Sequence, residues 1–139
     1  MEHNEQKRIV ATRVPDGKRI GFFPRYFGRH MLLVENYVYA HLSRLCADYR
    51  GGLWDYVDLS NGGCYITPSA PRGYTIVVDG NGFTGRLDAE CAGVVATLFA
   101  LSHLSMRFPG VETFARRFHQ LRDFACEHPD GNLVLAAID

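Results

Sequence analysis

The sequence predicts an α+β fold in which a small antiparallel sheet of about three strands packs with three to four α-helices. Three observations carry that prediction: stretches in which apolar residues return every three or four positions, short β-prone runs between them, and an Asn-Gly turn joining two of those runs. Strands gathered mid-chain with helices around them favour α+β over the strict alternation of a parallel sheet. With 139 residues and no internal repeat or linker, residues 1–139 are expected to form one domain.

The first 29 residues are basic and then aromatic, ending in Phe22-Phe23-Pro24-Arg25-Tyr26-Phe27-Gly28. A short strand is expected around Arg8–Val14, and Pro24 and Gly28 argue against a helix in the aromatic run. From His30 to Tyr49, the residues Met31, Val34, Val38, Leu42, Leu45 and Tyr49 mark one face of a helix of about five turns, ended by Gly51 and Gly52. Strands follow at Leu53–Leu59, Cys64–Thr67 and Tyr74–Asp79. The first two are joined by Ser60-Asn61-Gly62-Gly63, read as a tight turn with positive φ at both Asn and Gly. Asp88 is a good N-cap for a second long helix whose stripe is Cys91, Val94, Leu98 and Leu101. A third helix runs from Val111 to about Glu127 along Val111, Phe114, Phe118, Leu121 and Ala125. His128-Pro129 stops it, and Asn132–Ile138 is read as a short terminal helical turn.

Charge removes one class of function. Fifteen Lys and Arg balance fifteen Asp and Glu, so the net charge is zero with histidines neutral. A domain of this length is roughly 40 Å across, and a decoy for duplex DNA that long would need on the order of twenty uncompensated acids. The chain has none to spare. Residues 1–29 hold seven bases and three acids, and thirteen of the fifteen bases are arginine. That is a weak case for direct DNA binding and a better one for planar, bidentate contacts. The apolar stretch Cys91–Met106 is broken by Gly93, Thr97, Ser102 and His103 and falls short of the ~20 apolar residues of a membrane span. Met1–Arg8 lacks the apolar run of a secretion signal, so a cytoplasmic location is expected.

Spacing assigns no catalytic or cofactor site. Gly80-Asn81-Gly82-Phe83-Thr84-Gly85 spells a dinucleotide fingerprint, but a helix rather than a strand follows the next helix, and Asp88 and Glu90 would repel a pyrophosphate. The segment reads as turns. Cys46, Cys64, Cys91 and Cys126 stand far apart without a C-x-x-C pair and are expected as small buried hydrophobes. The six histidines include no H-x-x-x-H, so no metal is expected. Asp55 and Asp58 fall on opposite faces of their strand and make no hydrolytic pair. The aromatic cluster Phe22, Phe23, Tyr26, Phe27, Trp54 and Tyr56 reads as core, and Arg116, Arg117, Gln120, Arg122 and Asp123 as a solvated helix face.

Several blocks together resemble one family, the non-acidic antirestriction proteins of the ArdB/KlcA type. They are Phe23-Pro24-Arg25-Tyr26-Phe27-Gly28, Tyr49-Arg50-Gly51-Gly52-Leu53-Trp54, Leu59-Ser60-Asn61-Gly62-Gly63-Cys64-Tyr65-Ile66-Thr67-Pro68, Gly80-Asn81-Gly82-Phe83 and Ala92-Gly93-Val94-Val95-Ala96. Cys64 stands where an aromatic is expected, and Leu87-Asp88-Ala89-Glu90 departs from the family's small-residue helix start. The resemblance implies a plasmid-encoded protein that protects incoming DNA from type I restriction-modification systems, with no catalytic residue or cofactor to carry over. Its partner would be the restriction complex or a host factor regulating it, and a monomer is expected over an obligate oligomer. The candidate partner-binding residues are Arg25, Tyr26, Asn61 and Asn81. Two other readings stay open on the residues alone: an arginine-using nucleic-acid-binding module, and an unrecognised enzyme.

Overall fold

A computed structural model of the chain describes residues 8–139; the expectations about Met1–Lys7 and His3 lie outside them. Among the described residues, five strands form two antiparallel sheets, and five α-helices surround them. In the larger sheet, β1 (Ala11–Arg13), β2 (Trp54–Leu59) and β3 (Cys64–Pro68) pair in the order β1-β2-β3. The smaller sheet is a hairpin of β4 (Tyr74–Val78) and β5 (Phe83–Leu87). The α+β expectation holds.

The aromatic run corrects the sequence reading, because Phe22–Phe27 is helix α1. Pro24 is its third residue, where the backbone N–H would have no partner inside the helix, so the proline costs nothing there. Gly28 ends the helix by donating its N–H to the Pro24 carbonyl. Phe22, Phe23, Tyr26 and Phe27 are all buried, as the core reading required.

Helix α2 (Met31–Leu45) is shorter than its periodicity implies. The chain turns extended at Cys46, whose thiol donates to the Asp48 carboxylate at 2.9 Å. Tyr49 swings away to accept a hydrogen bond from Trp54 Nε1 at 2.8 Å. Strand β5 was not expected. Its glycine-rich start reads as turn, and Gly85 at the middle inward position, between Phe83 and Leu87, hides the alternation with the exposed Thr84 and Arg86.

The central element is α3 (Ala89–Arg107), capped by Asp88, whose side chain accepts from Cys91 N at 2.8 Å. By length and composition it could cross a membrane, but 61% of its most apolar window is buried inside the molecule. It packs on β3, which is buried along its whole length, and on α2, α4 (Glu112–Glu127) and α5 (Gly131–Ile138). Cys46, Cys64 and Cys91 are buried as expected; Cys126 is exposed, because it lies off the α4 stripe.

One buried polar residue sits between α2 and α3. His41, 6% exposed, lies 2.8 Å from the Tyr37 carbonyl through Nδ1 and 2.9 Å from His103 Nδ1 through Nε2, and stacks on Phe99. A carbonyl only accepts, so His41 Nδ1 carries the hydrogen and the neutral ring accepts from His103 Nδ1–H. Burial, aided by the charges of His103 and Arg44, pushes the His41 pKa below its ordinary value. A base whose folded pKa lies below its unfolded one destabilises the fold once the unfolded chain begins to protonate. Stability is therefore expected to fall as pH drops below about 6.5. Thermal melts of the wild type and His41→Gln across pH 8 to 5 are the check, and the variant should show the shallower decline.

Candidate functional site

The hairpin between β2 and β3 is built differently from the two-residue turn its sequence predicts. Gly62 N donates to Leu59 O at 3.1 Å and Leu59 N to Gly63 O at 2.9 Å, closing a three-residue loop. Only Gly62 has positive φ (93°); Asn61 does not. A type I turn followed by one left-handed residue needs glycine at its last position alone. Asn61 is thereby released for another task. Its Oδ1 accepts from Gly63 N at 3.0 Å, and its Nδ2 donates to the Gln120 carbonyl of α4 at 2.9 Å.

Helix α4 returns the contact. Gln120 Nε2 donates to the Asn61 carbonyl at 3.2 Å, and Arg117 Nη1 donates to the Gly62 carbonyl at 2.8 Å and to Gln120 Oε1 at 3.2 Å. Arg117 Nε also reaches the Tyr26 carbonyl, at 3.4 Å. The face read from sequence as solvated is therefore half engaged: Arg117 and Gln120 clamp the hairpin, while Arg116 and Asp123 stay exposed.

Tyr26 stands at the centre of this network. Its hydroxyl donates to Asp58 Oδ1 at 2.5 Å, and Arg25 Nη2 donates to the same oxygen at 3.1 Å. The guanidiniums of Arg25 and Arg117 lie 4.9 and 5.2 Å from the Tyr26 ring centre. Nearby, Arg19 lies 4.0 Å from the Tyr56 ring centre, and Tyr56 packs on Phe22 and Phe23. Burial first, and then the bond to Asp58, raise the Tyr26 pKa and keep the phenol protonated. Burial likewise raises the Cys64 thiol, within the fields of Asp58, Arg25 and Arg117, so this cysteine is not an activated nucleophile. The arrangement sets arginines over tyrosine rings around one shared carboxylate.

Of the four candidate residues, Arg25, Tyr26 and Asn61 join one hydrogen-bonded network and Asn81 stands outside it. Asn81 Oδ1 accepts from Phe83 N at 2.9 Å, and its Nδ2 donates to the Ala137 carbonyl at 2.9 Å, tying the β4–β5 turn to the end of α5. Asp55 and Asp58 face opposite ways, as read: Asp55 accepts from Arg13 and Ser69, Asp58 from Arg25 and Tyr26. Sequence reasoning missed Asp58 and Arg117 as members, since their partners lie 32 to 91 residues away.

One further grouping has ligand-type atoms. A Cys91 sulfur, a His128 ring nitrogen and an Asp130 carboxylate oxygen lie within 4.8 Å of one another. Both His128 nitrogens are already engaged, Nε2 with Glu90 at 2.8 Å and Nδ1 accepting from Asp130 N at 2.9 Å. Burial, then the Asp88 carboxylate, raise the Cys91 thiol. In this arrangement the grouping ties α3 to the start of α5.

The family model described as antirestriction protein matches residues 47–139. An antirestriction protein KlcA of Escherichia coli is 45% identical over 137 residues, covering 94% of each chain. A second E. coli KlcA is 43% identical over 141 residues, covering 99% of each. A solved structure superimposes with a TM-score of 0.90 at 41% identity, over 99% of this chain and 100% of that one. That work describes KlcA and ArdB as a novel fold with antirestriction activity against type I DNA restriction systems in vivo but not in vitro.

Proposed function

This chain belongs to the antirestriction protein family, and from that premise we propose that it protects incoming plasmid DNA from type I restriction-modification systems by binding a protein, without imitating DNA. The observation that carries the mechanism is how the acids are used. Asp16 and Asp55 pair with Arg13, Asp58 with Arg25, Asp48 with Arg72, Asp139 with Arg122 and Glu90 with His128. A DNA mimic of this length needs on the order of twenty uncompensated anions; a chain whose fifteen acids are balanced by fifteen bases, with five of those acids beside arginines, does not supply them.

The activity of the solved relatives in vivo but not in vitro favours a host factor over the restriction enzyme itself as the direct target, because a competitor for the DNA site would act in vitro too. We assign the contact to the Arg25–Tyr26 face with Arg117, where the exposed Arg25 and half-buried Arg117 guanidiniums cover the buried Tyr26 ring, an arginine–tyrosine pairing of the kind found at interface hot spots. Asn61 and Asn81 act here as turn ties. The protein works in the cytoplasm and performs no chemistry of its own.

Plasmid protection in a restricting host is the test. Arg25→Ala is expected to lower protection about tenfold, the order of one hot-spot side chain, while Asn81→Ala in a folded variant leaves it intact. Full protection by Arg25→Ala removes this face. Stoichiometric displacement of DNA from a purified type I enzyme by the wild-type protein overturns the whole reading.

A further inference from the structure

A cleft of about 380 Å³ lies between α2 and α3, lined by Tyr37, Ala40, His41, Arg44, His103 and Arg107. We propose that it is a binding site for a phosphate group, either free or carried by a small phosphorylated molecule. Positions 37, 40, 41 and 44 share one face of α2, and 103 and 107 one face of α3. Tyr37 meets Arg107 and His41 meets His103, so the two helices run antiparallel here. Arg107 and Arg44 therefore stand at opposite ends of the cleft, about 10 Å apart along the helix axis, with the imidazole pair between them. Long side chains from both ends can converge on one oxyanion above the histidines.

Every charged group in the lining is basic. Among the described residues, Arg44, His103 and Arg107 form no ion pair; several other arginines share that state, and these three groups are distinguished by lining one cleft together. Arg107 is positioned by donating to the Tyr37 hydroxyl at 3.2 Å, which engages one N–H of its guanidinium fork. Both arginines lie in the last turn of their helices, where they complement the helix dipole. That explains their place in the sequence, but it does not require both to line one cleft around a histidine pair. Uncompensated cations gathered around one cleft repel one another, and an anion bound among them relieves that repulsion. Duplex DNA would need a track of phosphate contacts; this cleft has room for one.

The test is titration of the full-length protein with sodium phosphate, sodium sulfate and AMP, against sodium chloride at matched ionic strength. Saturable shifts of the His41 and His103 imidazole signals are expected with the first three and not with chloride. Arg44→Ala and Arg107→Ala should each weaken affinity about tenfold, the order of one charge-assisted hydrogen bond. Tighter binding of AMP than phosphate assigns the group to a nucleotide; equal binding assigns it to the free oxyanion. Both arginines are exposed, and thermal melting verifies that the variants fold. Unchanged imidazole signals at millimolar phosphate, or a double variant that binds as tightly as the parent, overturn the proposal. No restricting host enters the assay, so its failure leaves the antirestriction reading intact.

Discussion

Replacing Gly93 with alanine is expected to destabilise the protein by about 3 kcal/mol, at the upper end for an overpacked core, and to lower the melting temperature by about 10 °C. Glycine in the middle of a helix ordinarily costs about 1 kcal/mol against alanine, so on propensity alone the substitution should help. The contact decides otherwise. A Cβ at position 93 would meet the Ile66 carbonyl oxygen and lie 2.6 Å from both Cα and Cβ of Thr67. These are backbone and near-backbone atoms of β3, which cannot rotate aside. Nor can α3 slide away without loss, because Thr67 Oγ1 donates to the Ala89 carbonyl at 2.5 Å and Ile66 N donates to Thr97 Oγ1 at 3.4 Å, on either side of the close approach. Gly80→Ala is the control. Nothing lies within 4 Å of its added Cβ, and its effect should stay within about 0.5 kcal/mol. Chemical denaturation of the two variants beside the wild type checks both values. A Gly93→Ala protein as stable as the parent would mean that the packing of α3 on β3 is misdescribed.

That contact illustrates what the sequence revealed and what it hid. Helix α3 was legible from its stripe and its Asp88 cap, since both are signals local to the element. The role of Gly93 was not, because the reason for the glycine lies 26 residues back along the chain, at Thr67. The same division runs through the candidate site. Asn61-Gly62 announced a hairpin, but the loop length that frees Asn61 from positive φ depends on pairing between Leu59 and Gly63. Arg117 and Gln120 looked like solvated surface because helical periodicity reports only which side is apolar, not which polar residues meet another element. Helix α1 was concealed by a rule applied without its position: proline breaks a helix interior and is harmless in a first turn. Strand β5 alternates, with Thr84 and Arg86 outward, but Gly85 takes the middle inward position and the preceding glycines signal a turn, so the pattern was too short to read. The aromatic cluster was rightly read as core, and that reading determines which variant can separate fold from function.

Phe22→Ala is expected to cost about 4 kcal/mol, within the range for emptying a fully buried phenylalanine site, and to abolish plasmid protection. Phe22 is 0% exposed, and its ring centre lies 5.1, 5.0 and 4.8 Å from those of Phe23, Tyr26 and Tyr56. It is thus the floor beneath Tyr26, whose hydroxyl, shared with Asp58 and Arg25, fixes the proposed contact face. Removing the ring leaves a cavity into which Tyr26 can fall, and the Tyr26–Asp58 bond would loosen with it. Loss of protection here has two readings, unfolding or a displaced face, and paired variants distinguish them. Phe22→Leu retains most of the apolar volume, should cost about half as much, and should keep protection if the face survives. Arg25→Ala removes an exposed side chain, so it should melt close to wild type while protecting poorly. Denaturation midpoints measured beside protection for the three variants give the answer. If protection tracks stability across all three, the aromatic segment serves only the core, and the arginine–tyrosine face must be given up as the contact surface.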